Sequence, residues 1–191
     1  QLRAEGRSAL MAARNVEDGI SFLQAGESAL LEIAALNSRL RELKVQHTNG
    51  ILTTGDKAAI EAEEDEVLAA GNKIDKAELN GTPLLTATKN FTVDLDAGTV
   101  AYGAAAGITL VDDTIANIDA QGKAIAKALG SMAAGISALK GHQGNLYGLA
   151  ANSEAAAARI QDTDFARSSA NLAKFSIMNQ SAMAMVAQAN Q

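Results

Sequence analysis

Apolar side chains recur every three or four residues along most of this chain, a spacing that lays one stripe along an α-helix. From about residue 3 to 46 the stripe runs through Ile20, Leu23, Leu30, Ile33, Leu36, Leu40 and Leu43, separated by threes, fours or their sum. Asn49-Gly50 stands where the stripe stops, and its glycine can take the left-handed conformation just past a last turn. Thr53-Thr54-Gly55-Asp56 then offers Thr or Asp to cap a second helix. In that helix Ile60, Val67 and Ile74 fall one heptad apart, and Glu61, Glu63, Glu64 and Glu66 are assigned to the solvent face. Asn80-Gly81-Thr82-Pro83, with the only proline of the chain, breaks the pattern.

The period then drops to two. Phe91-Thr92-Val93-Asp94-Leu95, the turn residues Asp96-Ala97-Gly98 and Thr99-Val100-Ala101-Tyr102 predict a β-hairpin, and residues 108–111 read as a further short strand. Asp112-Asp113-Thr114 can cap a third helix bearing Ile115, Ile118, Ile125 and Leu129. Its seam continues through Met132, Ile136, Leu139, Gln143, Leu146, Ala150, Ser153, Ala157 and Ile160. From Ile160 to Phe165 the pattern skips five, after which Leu172, Phe175 and Val186 restart it, a slip that turns the seam toward a different partner. The expected fold is mainly α: an elongated antiparallel helical bundle or coiled coil with a small β-hairpin region.

Composition sharpens that shape. Residues 149–191 contain no Gly and no Pro, although the chain has 16 Gly. Unbroken, that stretch would be a helix of roughly 65 Å, whereas a compact domain of this length is roughly 40 Å across. It carries only six charges, Glu154, Arg159, Asp162, Asp164, Arg167 and Lys174, so a ridge including Met178 and Met183 would face water unless covered by another part of the chain or another copy. Aromatic content is 3% with no Trp, which suits thin helical seams built from Leu, Ile, Val and Ala better than a large globular core. The net charge of -6, with no basic cluster, argues against a nucleic-acid surface. Cys is absent, so disulfides, thiolate metal sites and a Cys nucleophile are excluded together. No apolar run is long enough to insert in a membrane. Both chain ends fall inside helical pattern, so the chain reads as a fragment cut at both ends.

Several blocks carry a family resemblance. Arg14-Asn15-Val16-Glu17-Asp18-Gly19-Ile20-Ser21 and the run from Arg39 to Gly50, Arg-Leu-Arg-Glu-Leu-Lys-Val-Gln-His-Thr-Asn-Gly, closely resemble bacterial flagellin. Ile74-Asp75-Lys76, Leu79-Asn80-Gly81, Arg159-Ile160-Gln161-Asp162-Thr163-Asp164-Phe165-Ala166 and Met185-Val186-Ala187-Gln188-Ala189-Asn190-Gln191 continue the likeness in order. The resemblance implies a secreted, extracellular structural subunit of the flagellar filament, polymerising with other copies through terminal helices. It implies a division into residues 1–85 (amino-terminal rod helices), 86–112 (hairpin and variable segment), 113–165 (carboxy-terminal rod helix) and 166–191 (start of the terminal polymerisation helix). Implied partners are other flagellin subunits, an export chaperone and a cap protein. The innate-immune flagellin receptor reads a Leu-Gln-Arg run where this chain has Asn37, Ser38 and Arg39, and the family's Glu is Lys73 here, so weak or no recognition is expected.

Candidate chemistry adds little. His47 and His142 are isolated, Asp94-Leu95-Asp96-Ala97-Gly98 departs from a calcium loop in its Gly spacing and closing Glu, and Gly103, Gly107 and Gly122-Lys123 do not make a phosphate loop. No catalytic residue, cofactor or metal is assigned, and no enzyme is expected. The rod core seam is assigned to Ile20, Leu23, Leu30, Ile33, Leu40, Leu43, Ile136, Leu139, Leu146 and Ile160. Subunit contacts are assigned to Arg39, Arg41, Phe165, Leu172, Phe175 and Val186; the cluster Glu61, Glu63, Glu64 and Glu66 reads first as a solvated face, its sharper reading being a lateral contact with a neighbour's Arg39, Arg41 and Lys44. The alternative is a flagellin-like surface protein that captures an external ligand, such as a polysaccharide, near Lys89 and Tyr102.

Overall fold

Alternating steps of three and four buried residues produce two long helices that lie side by side. In the computed structural model, which describes residues 1–85, 89–94, 98–102, 108–111, 114–161 and 165–190, these are α1 (Leu2–His47) and α3 (Ile115–Gln161). At 1.5 Å per residue each is roughly 70 Å long. Arg3 pairs with Glu154 near one end, and Arg41 pairs with Asp119 near the other, so the two helices run antiparallel. Along α1 the buried set is Gly6, Ala9, Ala12, Ala13, Val16, Gly19, Ile20, Phe22, Leu23, Gly26, Leu30, Ile33, Asn37, Leu40 and Leu43. Along α3 it includes Ile125, Ala128, Met132, Ile136, Leu139, Leu146, Ala150, Ser153 and Ala157. This is the 3-4 spacing of a coiled-coil seam.

A shorter helix, α2 (Thr54–Asp75), folds back on α1 after a tight connection. Thr53 starts it with a capping box: its hydroxyl accepts from the Asp56 amide while the Asp56 carboxylate accepts from the Thr53 amide and hydroxyl. Two short antiparallel pairs sit between α2 and α3 in the chain. The first joins β1 (Glu78–Leu79) to β2 (Thr82–Pro83), and the second joins β3 (Lys89–Thr92) to β4 (Thr99–Tyr102) with Phe91 opposite Val100. The second pair docks on α1 through Phe91, whose ring lies 6.1 Å from that of Phe22 and over Gly19. A Cβ on Gly19 would stand 2.8 Å from that ring, so the glycine is the seat of the hairpin. The last helix, α4 (Phe165–Ala189), contains no buried residue.

The mainly α, elongated antiparallel fold with a small hairpin region is thus borne out, with four differences in detail. Asn80-Gly81 does not merely break the helix; it is the two-residue loop of β1–β2, with positive φ at both positions (53° and 70°). The helix α1 ends at His47 with Thr48 in the right-handed region, and Gly50 is not left-handed. Residues 108–111 are not a strand, but Ile108 and Leu110 are buried, Leu110 against Gly71 of α2. Glu64 is buried rather than on the solvent face. The turn at 95–97 with the calcium-loop comparison, the glycines of 103–107, the Asp112-Asp113 cap and the Asp162-Thr163-Asp164 motif fall outside the described residues.

Candidate assembly surface

Nine of the ten residues assigned to the rod seam are buried in the monomer: Ile20, Leu23, Leu30, Ile33, Leu40, Leu43, Ile136, Leu139 and Leu146. Ile160 departs from that assignment at 75% exposed. It lies past the Arg3–Glu154 pair and edges a shallow hollow with Gln1, Leu2 and Arg3. Burying these side chains on both helices contributes roughly 25 cal/mol per Å² of apolar surface removed from water.

The charged residues near the α1–α2 turn are tied up within the chain. Arg39 donates to Glu63 Oε1 (2.5 and 2.9 Å) and to Glu42 (3.1 Å), and Arg41 donates to Asp119 at 2.6 Å. Hydrogen bonds to Glu63 and Glu42 raise the Arg39 pKa further above its usual range, and the bond to Asp119 does the same for Arg41. Reciprocally, Arg41 holds the Asp119 carboxyl below its ordinary value. Lys44 Nζ lies 3.4 Å from the buried Glu64, and His47 Nε2 lies 3.0 Å from Glu61. Glu63 and Glu64 therefore meet Arg39 and Lys44 of that basic patch on their own chain, and Glu61 meets His47, because α2 folds antiparallel onto α1.

The uncovered apolar surface is elsewhere. Phe165 (84% exposed), Leu172, Phe175, Ile177, Met178, Met183, Met185 and Val186 all stand open on α4. Spaced three apart, Leu172, Phe175 and Met178 line one face, and Met183 and Val186 extend the ridge after a step of five. Among the described residues no group of three His, Cys, Asp or Glu side chains is placed to hold a metal, and no helix is long and apolar enough to cross a membrane.

What sequence reasoning missed was mostly small or polar. Gly19, Gly26 and Gly71 seat Phe91, Met132 and Leu110, and their signal was their position on the apolar stripe. Asn37 occupies a seam position and donates from Nδ2 to the Ile118 carbonyl at 3.2 Å, a polar link between α1 and α3.

A closed helical rod joined to a helix with nothing buried defines a structural protein built for association. Comparison with known proteins agrees: the bacterial flagellin N-terminal helical region matches residues 1–90, and the C-terminal helical region matches residues 108–191. The chain is 33% identical to the flagellar filament 33 kDa core protein of Treponema phagedenis, covering 100% of this chain and 79% of that one. It is 32% identical to a flagellin of Halalkalibacterium halodurans, covering 100% and 78%. A crystal structure of Bacillus cereus flagellin shares the fold, with a TM-score of 0.51 at 20% identity over 73% of this chain and 88% of that one. The chain belongs to the bacterial flagellin family, and its role is that of a structural subunit of the flagellar filament.

Proposed function

We propose that α4 is the part of the subunit that other copies cover, and that Phe165, Leu172, Phe175 and Val186 are its contacts. The single observation behind this reading is a 25-residue helix that carries an apolar ridge and buries none of it. Covering such a ridge is favourable at roughly 25 cal/mol per Å², and partners of identical sequence offer the same ridge in return. In this reading the α1–α3 rod packs its own seam within the monomer and acts as the rigid body that positions α4. Arg39 and Arg41, each about half exposed (48% and 50%), present charge-balanced edges to neighbouring copies while their in-chain pairs hold. The subunit works outside the cell, where the filament lies, after passing a chaperone and a cap protein of the kinds that the family resemblance implies. The ligand-capturing alternative is not favoured by the family match.

The test is a Phe175→Asp, Val186→Asp double substitution in a host lacking its own flagellin. Secreted, folded subunits without filaments are expected under the electron microscope. Filaments of ordinary length would overturn the reading. Circular dichroism of the purified variant keeps a folding defect distinguishable, since neither side chain packs on the rod.

A further inference from the structure

Two Asn-Gly steps occur in the chain, and the fold holds them in opposite ways. A glycine nitrogen has no neighbouring side chain to block its approach to the asparagine side-chain carbonyl, so both steps are chemically open to ring closure. Asn80 and Gly81 are clamped as the loop of the β1–β2 hairpin, flanked by the Leu79–Thr82 and Glu78–Pro83 partners and by the Leu84 N–H bond to the Ala77 carbonyl at 2.9 Å. Closing a ring there requires the backbone to leave the positive-φ turn and open the pair.

Asn49 is exposed in the α1–α2 connection, and its Oδ1 accepts from the Ile51 N–H at 3.3 Å. That bond folds the side chain forward along the Gly50 peptide. The same N–H polarises the carbonyl and faces the charge that develops on Oδ1 when the nitrogen adds, as an oxyanion donor does. The other backbone bonds of the turn, Asn49 N–H to Gln46 and Leu52 N–H to the Asn49 carbonyl, do not use the Gly50 N–H. A Cβ built on Gly50 would meet nothing within 4 Å, so water and base reach this peptide freely.

We propose that Asn49 is a site of spontaneous modification, converted through a succinimide to aspartate and isoaspartate. The Gly50 nitrogen bonds to Asn49 Cγ, the Cγ–Nδ2 bond breaks, and ammonia leaves carrying the proton from the Gly50 N–H. Water then adds to either imide carbonyl and reopens the ring, so the net change is amide plus water to acid plus ammonia. Either product places a new negative charge just past the carboxy end of α1, where the helix dipole disfavours it. The isoaspartate product also lengthens the main chain within the connection that sets α2 on α1.

The folded chain, incubated at mildly alkaline pH and digested, is read by mass spectrometry at both peptides, with isoaspartyl methyltransferase labelling as a second readout. Conversion at Asn49 is expected on the order of tenfold faster than at Asn80, which corresponds to about 1.4 kcal/mol of barrier, and the two rates converge in denaturant. Gly50→Ala slows Asn49 and leaves Asn80 unchanged; Ile51→Pro, which deletes the donated N–H at an 85% exposed position, slows Asn49 severalfold. Equal rates at the two steps in the folded chain, or an Asn49 rate indifferent to Ile51→Pro in a variant of unchanged circular dichroism, would overturn the proposal.

Discussion

Glu64 is the least comfortable side chain in the rod: it is 1% exposed, one oxygen lies 3.4 Å from Lys44 Nζ, and Oε1 has no hydrogen-bond partner. A buried carboxylate half paired in this way gains less from its partner than it loses in desolvation, so an apolar residue of similar volume should serve α2 better. Glu64→Met is expected to raise the midpoint of urea unfolding, by about 1 kcal/mol in stability. Lys44→Ala should do the reverse, costing about 3 kcal/mol because it strands a charge inside. In the double variant most of that loss should vanish, and a thermodynamic cycle over the four proteins measures it. The exposed Arg41–Asp119 pair is of another kind. Because Asp119 is held below its ordinary carboxyl value of 3.8, its contribution is complete above that pH and is lost as pH falls through the depressed value. The stability difference between the parent chain and Asp119→Asn should therefore be constant near neutrality, shrink in acid and weaken with salt.

At the scale of elements, the helices depend on what stands at their ends and on where they lack side chains. Thr53→Ala removes the hydroxyl half of the α2 capping box and is expected to cost about 1 kcal/mol, read as loss of helical signal and a lower melting temperature. Glycines divide into two groups. Gly130, Gly141, Gly144 and Gly148 lie on α3 with nothing within 4 Å of a built Cβ, so alanine there should stabilise the isolated subunit by about 0.5–1 kcal/mol each. Gly19→Ala should destabilise it, because the new methyl meets the Phe91 ring and lifts the hairpin from α1. Periodicity made α1, α2, α3 and the β3–β4 pair legible, since each buries one face and its pattern repeats. The β1–β2 pair was not, because two strands of two residues are too short for alternation and only Asn80-Gly81 marks them. The burial of Glu64 escaped for a related reason. Four glutamates within six residues read as a solvated face, yet 60, 64, 71 and 75 share the buried side of α2. Of the residues assigned to subunit contact, the apolar ones on α4 stood out by lacking a partner stripe within the chain, whereas Arg39 and Arg41 could not be placed before the antiparallel hairpin was known.

The whole molecule combines a rod that satisfies itself with a helix that does not, and the two should respond differently to the same solvent. Most helical stability in proteins comes from packing a face against a partner, and α4 buries none of its residues, so only its local propagation holds it. The α1–α3 pair is different: its seam side chains leave water only when both helices form, so its amides open only with the rod. In the free subunit, amide hydrogen exchange should therefore run close to the intrinsic rate across Phe165–Ala189 and be slowed by orders of magnitude at Leu23, Leu30, Leu139 and Leu146. In filaments the same α4 amides should become protected while those of the rod seam change little, since the seam is already buried before association. That asymmetry distinguishes a preformed rod with an addressable helix from a subunit that folds only on assembly. In the second case both regions would gain protection together, and dilution would melt the rod along with the contact. It also makes the cost of assembly local, since only α4 has to be ordered, and the apolar ridge running from Leu172 to Val186 is then the surface whose burial must offset that entropy.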